Sequence, residues 1–262
     1  MHIQVLSSGS EGNSTLVRAG EVAALVDAGL GREAMLGRLE VARLGPGAIQ
    51  HVLVTHGHLD HARSAGLVAK RERATLHAAD SMLTHPWARR AKTCAALAIG
   101  RDSPLASRTG GDEMRVRSVP IPHDCDPTVA FRFEHEGRVA AILTDIGRPD
   151  AEVARQLGGA HVLVLEFNYD PELMARGPYP AVLQRRIAGG RGHMSNAQGA
   201  EMLELLASEN LHTLVLAHIS QKTNRPDIAL ETAHATLERL GIANRVRVLA
   251  APQHEALPNL PV

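Results

Sequence analysis

Short apolar runs, each closed by a turn residue, recur along the whole chain. Those at Ile3–Leu6, Thr15–Arg18, Ala23–Val26, His51–Thr55, Met114–Ile121, Val129–His135, Arg138–Thr144, His161–Glu166, Thr213–Ala217 and Val246–Ala250 are mostly rich in Val, Ile, Leu and Thr and predict β-strands. Glu134-His135-Glu136-Gly137-Arg138 predicts a hairpin turn between two of them. Helical periodicity takes over at Ala62–Arg73, Pro149–Leu157, the segment opened by Ser195, and Pro226–Leu240. Pro149 is expected in a first helical turn, with Gly158-Gly159 as the stop. Ser195 and Gln198 form a capping-box pattern ahead of an apolar stripe at Ala197, Ala200, Leu203 and Leu206. Helices scattered among strands, rather than one after each, fit an α/β fold of two stacked sheets with helices outside. No repeat, low-complexity tract or linker interrupts the 262 residues, so one domain over 1–262 is expected.

Composition narrows the function classes. A chain that is 44% hydrophobic and 21% charged is neither disordered nor a small disulfide scaffold. Its 28 basic and 28 acidic residues cancel, which argues against a whole-surface grip on nucleic acid and leaves room for a local basic groove. Aromatics at 2% disfavour base stacking as a binding mode. Two cysteines, Cys94 and Cys125, cannot make a four-thiolate zinc site, whereas 15 histidines offer imidazole in quantity. Met1–Leu6 lacks the basic start and apolar run of a signal peptide, and no stretch approaches the roughly 20 apolar residues that span a bilayer. A cytoplasmic location without membrane contact is the expectation. Gly-x-Gly-x-x-Gly is absent, and Ser8-Gly9-Ser10-Glu11-Gly12-Asn13 only echoes a phosphate loop, lacking the Gly-Lys-Ser/Thr ending.

The strongest chemical signal is Thr55-His56-Gly57-His58-Leu59-Asp60-His61, directly after the apolar run Val52-Leu53-Val54. In extended chain His56 and His58 point the same way and can reach one metal, while Asp60 and His61 fall where a helix begins and can turn toward a second. His123-Asp124, Asp145 and His218 also follow apolar runs, and a polar group at the mouth of a core usually has a partner. His and carboxylate donors without thiolate suit Zn²⁺, Mn²⁺ or Fe. Seven such residues suffice for two divalent ions, Zn²⁺ or Mn²⁺, sharing one carboxylate and holding a hydroxide for hydrolysis.

These residues, with Asp27 closing an earlier strand, resemble the metallo-β-lactamase superfamily. That resemblance implies a four-layer αβ/βα sandwich, two mixed sheets flanked by helices, with a dinuclear site. It implies His56, His58 and His123 on the first metal, Asp60, His61 and His218 on the second, and Asp145 between them, with Asp60 counted among the catalytic residues. Leu6–Ser14, Leu25–Leu30, His123-Asp124, Glu166–Asp170, Gly177–Pro180, Leu183–Ile187 and Gly192–Asn196 are similar to the YycJ/WalJ-like subgroup, whose members are regarded as exonucleases acting on DNA from the 5′ end. The implied function is phosphodiester cleavage in nucleic acid, with DNA as the expected substrate. The alternatives are a thioester or small phosphodiester hydrolase of glyoxalase-II type, and a catalytically weak nucleic-acid-binding member. One departure is Asn168-Tyr169-Asp170, where the subgroup has Asn-His-Asp; a neutral tyrosine is a poor metal ligand but can donate to a phosphate oxygen.

Substrate contacts are expected from several further residues. His193 precedes the helix capped by Ser195, and free N–H groups at a helix start favour anions, so His193, Ser195 and Asn196 are candidates to hold a phosphate. His193 is also the candidate proton donor to the leaving oxygen. Asn168, Tyr169, Arg185 and Arg186 complete the expected substrate-binding set. Arg89, Arg90 and Lys92 read as a solvated face.

Overall fold

The computed structural model describes all 262 residues, Met1–Val262. Two seven-stranded mixed sheets are flanked by helices. The first contains β1 (His2–Ser7), β2 (Ser14–Ala19), β3 (Val22–Val26), β4 (His51–Leu53), β5 (Thr75–Ala78), β6 (Thr93–Ala96) and β14 (Leu260–Pro261), in the order β14-β1-β2-β3-β4-β5-β6. From β14 to β3 the neighbours are antiparallel; from β3 to β6 they are parallel. The second contains β7 (Asp102–Ala106), β8 (Glu113–Pro120), β9 (Val129–His135), β10 (Arg138–Leu143), β11 (Val162–Glu166), β12 (Thr213–Ala217) and β13 (Arg247–Ala250), in the order β13-β12-β11-β10-β9-β8-β7. Its β10 to β13 are parallel, and β7 pairs antiparallel with β8.

The apolar pattern sorts these strands physically. β3, β11 and β12 are buried at every position, as parallel strands covered on both faces must be, whereas β8 alternates between exposed and buried residues along its first half. The hairpin joining β9 to β10 turns at Glu136 and Gly137, with φ of 49° and 75°, as a tight two-residue turn requires.

The chain divides into two compact units. One comprises Met1–Ser118, Phe133–Arg138 and Pro252–Val262; the other comprises Val119–Arg132 and Val139–Ala251. The crossings at Ser118, Arg132 and Arg138 fall inside strands β8, β9 and β10, so no linker composition marks them. In the first unit α1 (Arg32–Val41) packs on β1, and α3 (Ala65–Glu72) packs on β4 and β5. In the second, α7 (Asn196–Leu206) packs on β11 and α8 (Pro226–Arg239) on β13, around a core that includes Leu163, Leu165, Phe167, Met202, Leu203, Leu214 and Leu237.

Several expectations are corrected. The single helix over Ala62–Arg73 is two, α2 (Leu59–Ala62) and α3, because Ser64 is drawn aside: its N–H donates to Ala28 O at 2.8 Å and its hydroxyl to Leu30 O at 2.7 Å. Pro149 precedes α4 (Ala151–Leu157); Asp150 caps that helix, accepting from the N–H groups of Glu152 and Val153. The capping box at Ser195 and Gln198 forms as expected, and Pro226 opens α8. Seven helices and strands escaped the pattern: α1, α5 (Pro171–Arg176), α6 (Ala181–Ile187), β5, β6, β7 and β14. α6 buries no residue, and β6 and β7 are sheet edges, β7 carrying Pro104 where only an edge strand tolerates it.

Candidate metal centre

In the first unit the candidate ligands leave the end of β4. Asp27, one residue past β3 at φ 60°, aims its carboxylate at this segment: the Thr55 N–H donates to its Oδ1 at 2.8 Å and the Thr55 hydroxyl to its Oδ2 at 2.9 Å. His61 Nδ1 lies 2.7 Å from the same Oδ2, so the buried ring donates there and turns Nε2 outward as a lone-pair donor. Burial pushes the Asp27 carboxyl above the usual carboxylate range, although His61 and the Thr55 bonds pull it back. Asn13 Nδ2 stands 3.0 Å from His61 Nε2, and the Asn13 N–H donates to Asp60 O at 2.7 Å. Gly29 packs so closely that a Cβ there would come within 1.6 Å of Asp60 O.

His56 Nε2 and His58 Nδ1 stand 3.0 Å apart, and His61 Nε2 lies 3.6 Å from Asp60 Oδ2. Two imidazoles on one tetrahedral zinc, each about 2.0–2.1 Å from it, have their donor atoms roughly 3.3 Å apart. The donor set therefore suits a divalent ion in chemistry and in spacing. The structure brings together His56, His58, Asp60 and His61.

In the second unit the groups arrive from separate segments. His123 follows β8; its Nδ1 donates to Gly192 O at 3.1 Å, leaving Nε2 3.3 Å from Asp124 Oδ1 and 4.0 Å from Asp145 Oδ1. Arg191 Nε donates to His123 O at 2.7 Å and steadies that loop. Asp145 and His218, just past β10 and β12, both take left-handed backbone, φ 60° and 55°, as Asp27 does. A left-handed conformation that L-residues rarely adopt, repeated at three strand ends, marks a place where side-chain direction is fixed at the cost of local strain. His218 Nε2 stands 3.7 Å from Asp145 Oδ1.

Glu166, fully buried at the end of β11, ties this group together. Its Oε2 accepts from the Asp145 N–H at 2.6 Å and lies 3.2 Å from His193 Nδ1 and 3.4 Å from His218 Nδ1; its Oε1 accepts from the Met194 N–H at 2.7 Å. Burial acts to raise its pKa, but the charge of His193 and the hydrogen bonds from His193 and His218 outweigh burial and hold the carboxyl below its ordinary value. Donor atoms of Asp145, Glu166, His193 and His218 all lie within 4.8 Å of one another.

The remaining expected substrate contacts divide. Ser195 Oγ accepts from the Gln198 N–H, Asn196 exchanges amide hydrogen bonds with Asn224 at 3.0 and 2.8 Å, and Asn168 Nδ2 donates to His218 O at 2.7 Å. All three are buried and internally bonded, and they brace the loops carrying His193 and His218. Tyr169 is buried beside Ser195, and burial raises its phenol pKa, with only partial relief from a Ser195 hydrogen bond. Arg185 and Arg186 lie exposed on α6, Arg186 pairing with Asp124 at 2.6 Å. Arg89, Arg90 and Lys92 are exposed.

Asp27, Thr55, Asn13 and Glu166 had no assigned role in the sequence reading. Glu166 carries the signal that singled out Asp145 and His218, a polar residue ending an apolar strand.

Fold and donor sets together define a metallohydrolase class, and family membership follows the same line: the model described as Beta-lactamase superfamily domain matches residues 24–219, and the chain belongs to that superfamily. It is a metal-dependent hydrolase with the metallo-β-lactamase fold. The chain is 30% identical over 251 residues to Exodeoxyribonuclease YycJ of Bacillus anthracis, covering 92% of this chain and 90% of that one. It is 27% identical to Exodeoxyribonuclease WalJ of Streptococcus pneumoniae serotype 2 over 228 residues, 86% of this chain and 84% of that one. Among solved structures, the metallo-β-lactamase fold protein YhfI from Bacillus subtilis superposes with a TM-score of 0.70 at 15% identity, covering 98% and 99% of the two chains. No helix is long and apolar enough to cross a membrane.

Proposed function

We propose that this chain is a DNA exonuclease that cleaves phosphodiester bonds with two divalent ions, Zn²⁺ or Mn²⁺, and that digestion starts at the 5′ end. The observation that carries the nuclease reading is the similarity to two exodeoxyribonucleases along most of both chains. His56, His58 and His123 would hold one ion, Asp60, His61 and His218 the other, and Asp145 both; the donor chemistry of each unit supports this set. Bound, the ions supply Lewis acidity and a nucleophile at neutral pH.

The chain's own groups do the rest. Asp27 keeps His61 in the tautomer whose Nε2 carries the lone pair for a metal, and Glu166 does the same for His218 from Nδ1. His193, with Nδ1 toward Glu166, delivers a proton from Nε2 to the leaving oxygen of the cleaved ester. The exposed Arg185 and Arg186 track the polyanion, and Tyr169 takes the place held by histidine in the similar subgroup, shaping the site without ligating. A cytoplasmic location is part of the same reading.

Digestion of end-labelled single-stranded and duplex DNA, with Mn²⁺ or Zn²⁺ and beside Asp145→Ala, tests it. Loss of nucleotides from the 5′ end that depends on metal and vanishes in the variant is the expected result. An inert wild-type protein with two ions bound would overturn the exonuclease reading, and thioester turnover by that protein would replace it with the small-substrate alternative.

A further inference from the structure

The glycine-rich loop Ser8–Asn13 has no part in the chemistry above beyond Asn13, yet it borders a second concavity in the first unit. Ser10, Glu11, Leu30, Gly31, Ala34, Arg38, Arg63, Gln253 and His254 line a cavity of about 470 Å³. Two guanidinium groups belong to it. Arg38 Nε is enclosed and has no hydrogen-bond partner, and a buried donor left unmade costs free energy that a ligand oxygen would recover. The Arg63 side chain is exposed and makes no hydrogen bond or ion pair. Gly31 starts α1 without any capping side chain, so the first N–H groups of this ten-residue helix add positive potential on the same wall. The loop backbone is built for a close approach: Gly9 and Gly12 take φ of 142° and 153°, and a Cβ on Gly12 would meet Leu30 N at 2.7 Å. Gln253 Oε1 accepts from the Glu11 N–H and fixes the loop's outer edge. Glu11 is the one acidic lining residue against two arginines.

We propose that this cavity is a phosphate-monoester subsite that takes a nucleotide, with Arg38 and Arg63 on the phosphate oxygens. The naming of a nucleotide rests on the nuclease reading; the phosphate chemistry does not. Both a phosphorylated DNA end and a released mononucleotide carry this group. Arg63 lies two residues beyond His61, and the loop that borders the cavity carries Asn13 against the same histidine, so an occupant would be held by the segments that set the candidate ligands.

Calorimetric titration of the metal-loaded protein with deoxyadenosine monophosphate, inorganic phosphate and deoxyadenosine reads the subsite directly. Arg63→Gln and Arg38→Gln are each expected to weaken the monophosphate and inorganic phosphate about tenfold. Metal content should stay unchanged, deoxyadenosine should be unaffected, and Glu11→Gln should tighten both anions. Unchanged affinities in both arginine variants would overturn the proposal, and Arg63, being exposed, keeps the test independent of any folding defect at Arg38. A rise in KM for 5′-phosphorylated but not 5′-hydroxyl DNA in Arg63→Gln assigns the site to the chain end. Relief of mononucleotide inhibition with KM unchanged assigns it to the product. Wild-type protein that binds the monophosphate through these arginines but cuts no DNA would overturn the nuclease reading and leave the subsite standing.

Discussion

The two units supply ligand-type side chains in different ways. In the first, His56, His58, Asp60 and His61 come from one strand-to-helix connection, and a single carboxylate, Asp27, orients it through His61 and Thr55. In the second, Asp145, Glu166, His193 and His218 come from four separated segments, and Glu166 touches the other three. A contiguous cluster tolerates errors elsewhere because local chain geometry brings its members together. A dispersed one depends on the parallel order β10-β11-β12, which places three strand ends side by side, and on one buried hub.

The sharpest way to break this contrast is Glu166→Gln. Losing the hub's charge frees both His193 and His218, so cleavage should fall by about 10²–10³-fold, with a shifted pH profile. Titration of activity against pH in wild type and variant checks it; a loss under about threefold would show that the dispersed group needs no hub. Asp27→Asn should cost less, about 10–100-fold in metal affinity with the His56-His58 pair retained, as measured by chelator competition.

Gly29→Ala attacks the contiguous cluster through its backbone. A Cβ 1.6 Å from Asp60 O forces the loop aside, so stability should drop by about 2–4 kcal/mol in urea unfolding, together with metal content. A smaller effect comes from a histidine pair on neighbouring strands, His51 in β4 and His77 in β5. His51 Nδ1 and His77 Nε2 stand 3.0 Å apart, and burial, then the charge of His51, push His77 down from 6.5 to about 4. With its folded pKa depressed, the neutral ring's contribution is complete above about pH 6.5 and is lost as pH falls toward 4. The loss is on the order of 1–3 kcal/mol, and it should flatten in His77→Gln when unfolding is compared across that window. Least of all, Arg89→Gln should move stability by under about 0.5 kcal/mol and leave DNA affinity unchanged, since the residue lies on an exposed turn.

How much was legible follows from the same contrast. Thr55–His61 could be read as a metal motif because its geometry is local: a strand alternates side chains and a helix start turns them. The ends of β10 and β12 could be read as candidate sites because a polar residue after an apolar run is costly without a partner. Glu166 obeyed that rule too, and its role escaped because sequence does not say that β11 lies between β10 and β12. Ser195 shows the opposite case, a cap legible from a local pattern alone, and its hydroxyl accepts from the Gln198 N–H as that pattern requires.

The sequence by itself determined the strands buried on both faces, the capped start of α7, the His/Asp cluster after β4 and the class of chemistry, since all follow from side-chain period, capping preference and donor type. Only the tertiary structure decided the edge strands β6 and β7, the break at Ser64, the inward turn of Asn168, Ser195 and Asn196, and the hub at Glu166. These depend on which segments become neighbours, and neighbours far apart in the chain are chosen by the packing of whole sheets rather than by any local preference of the residues concerned.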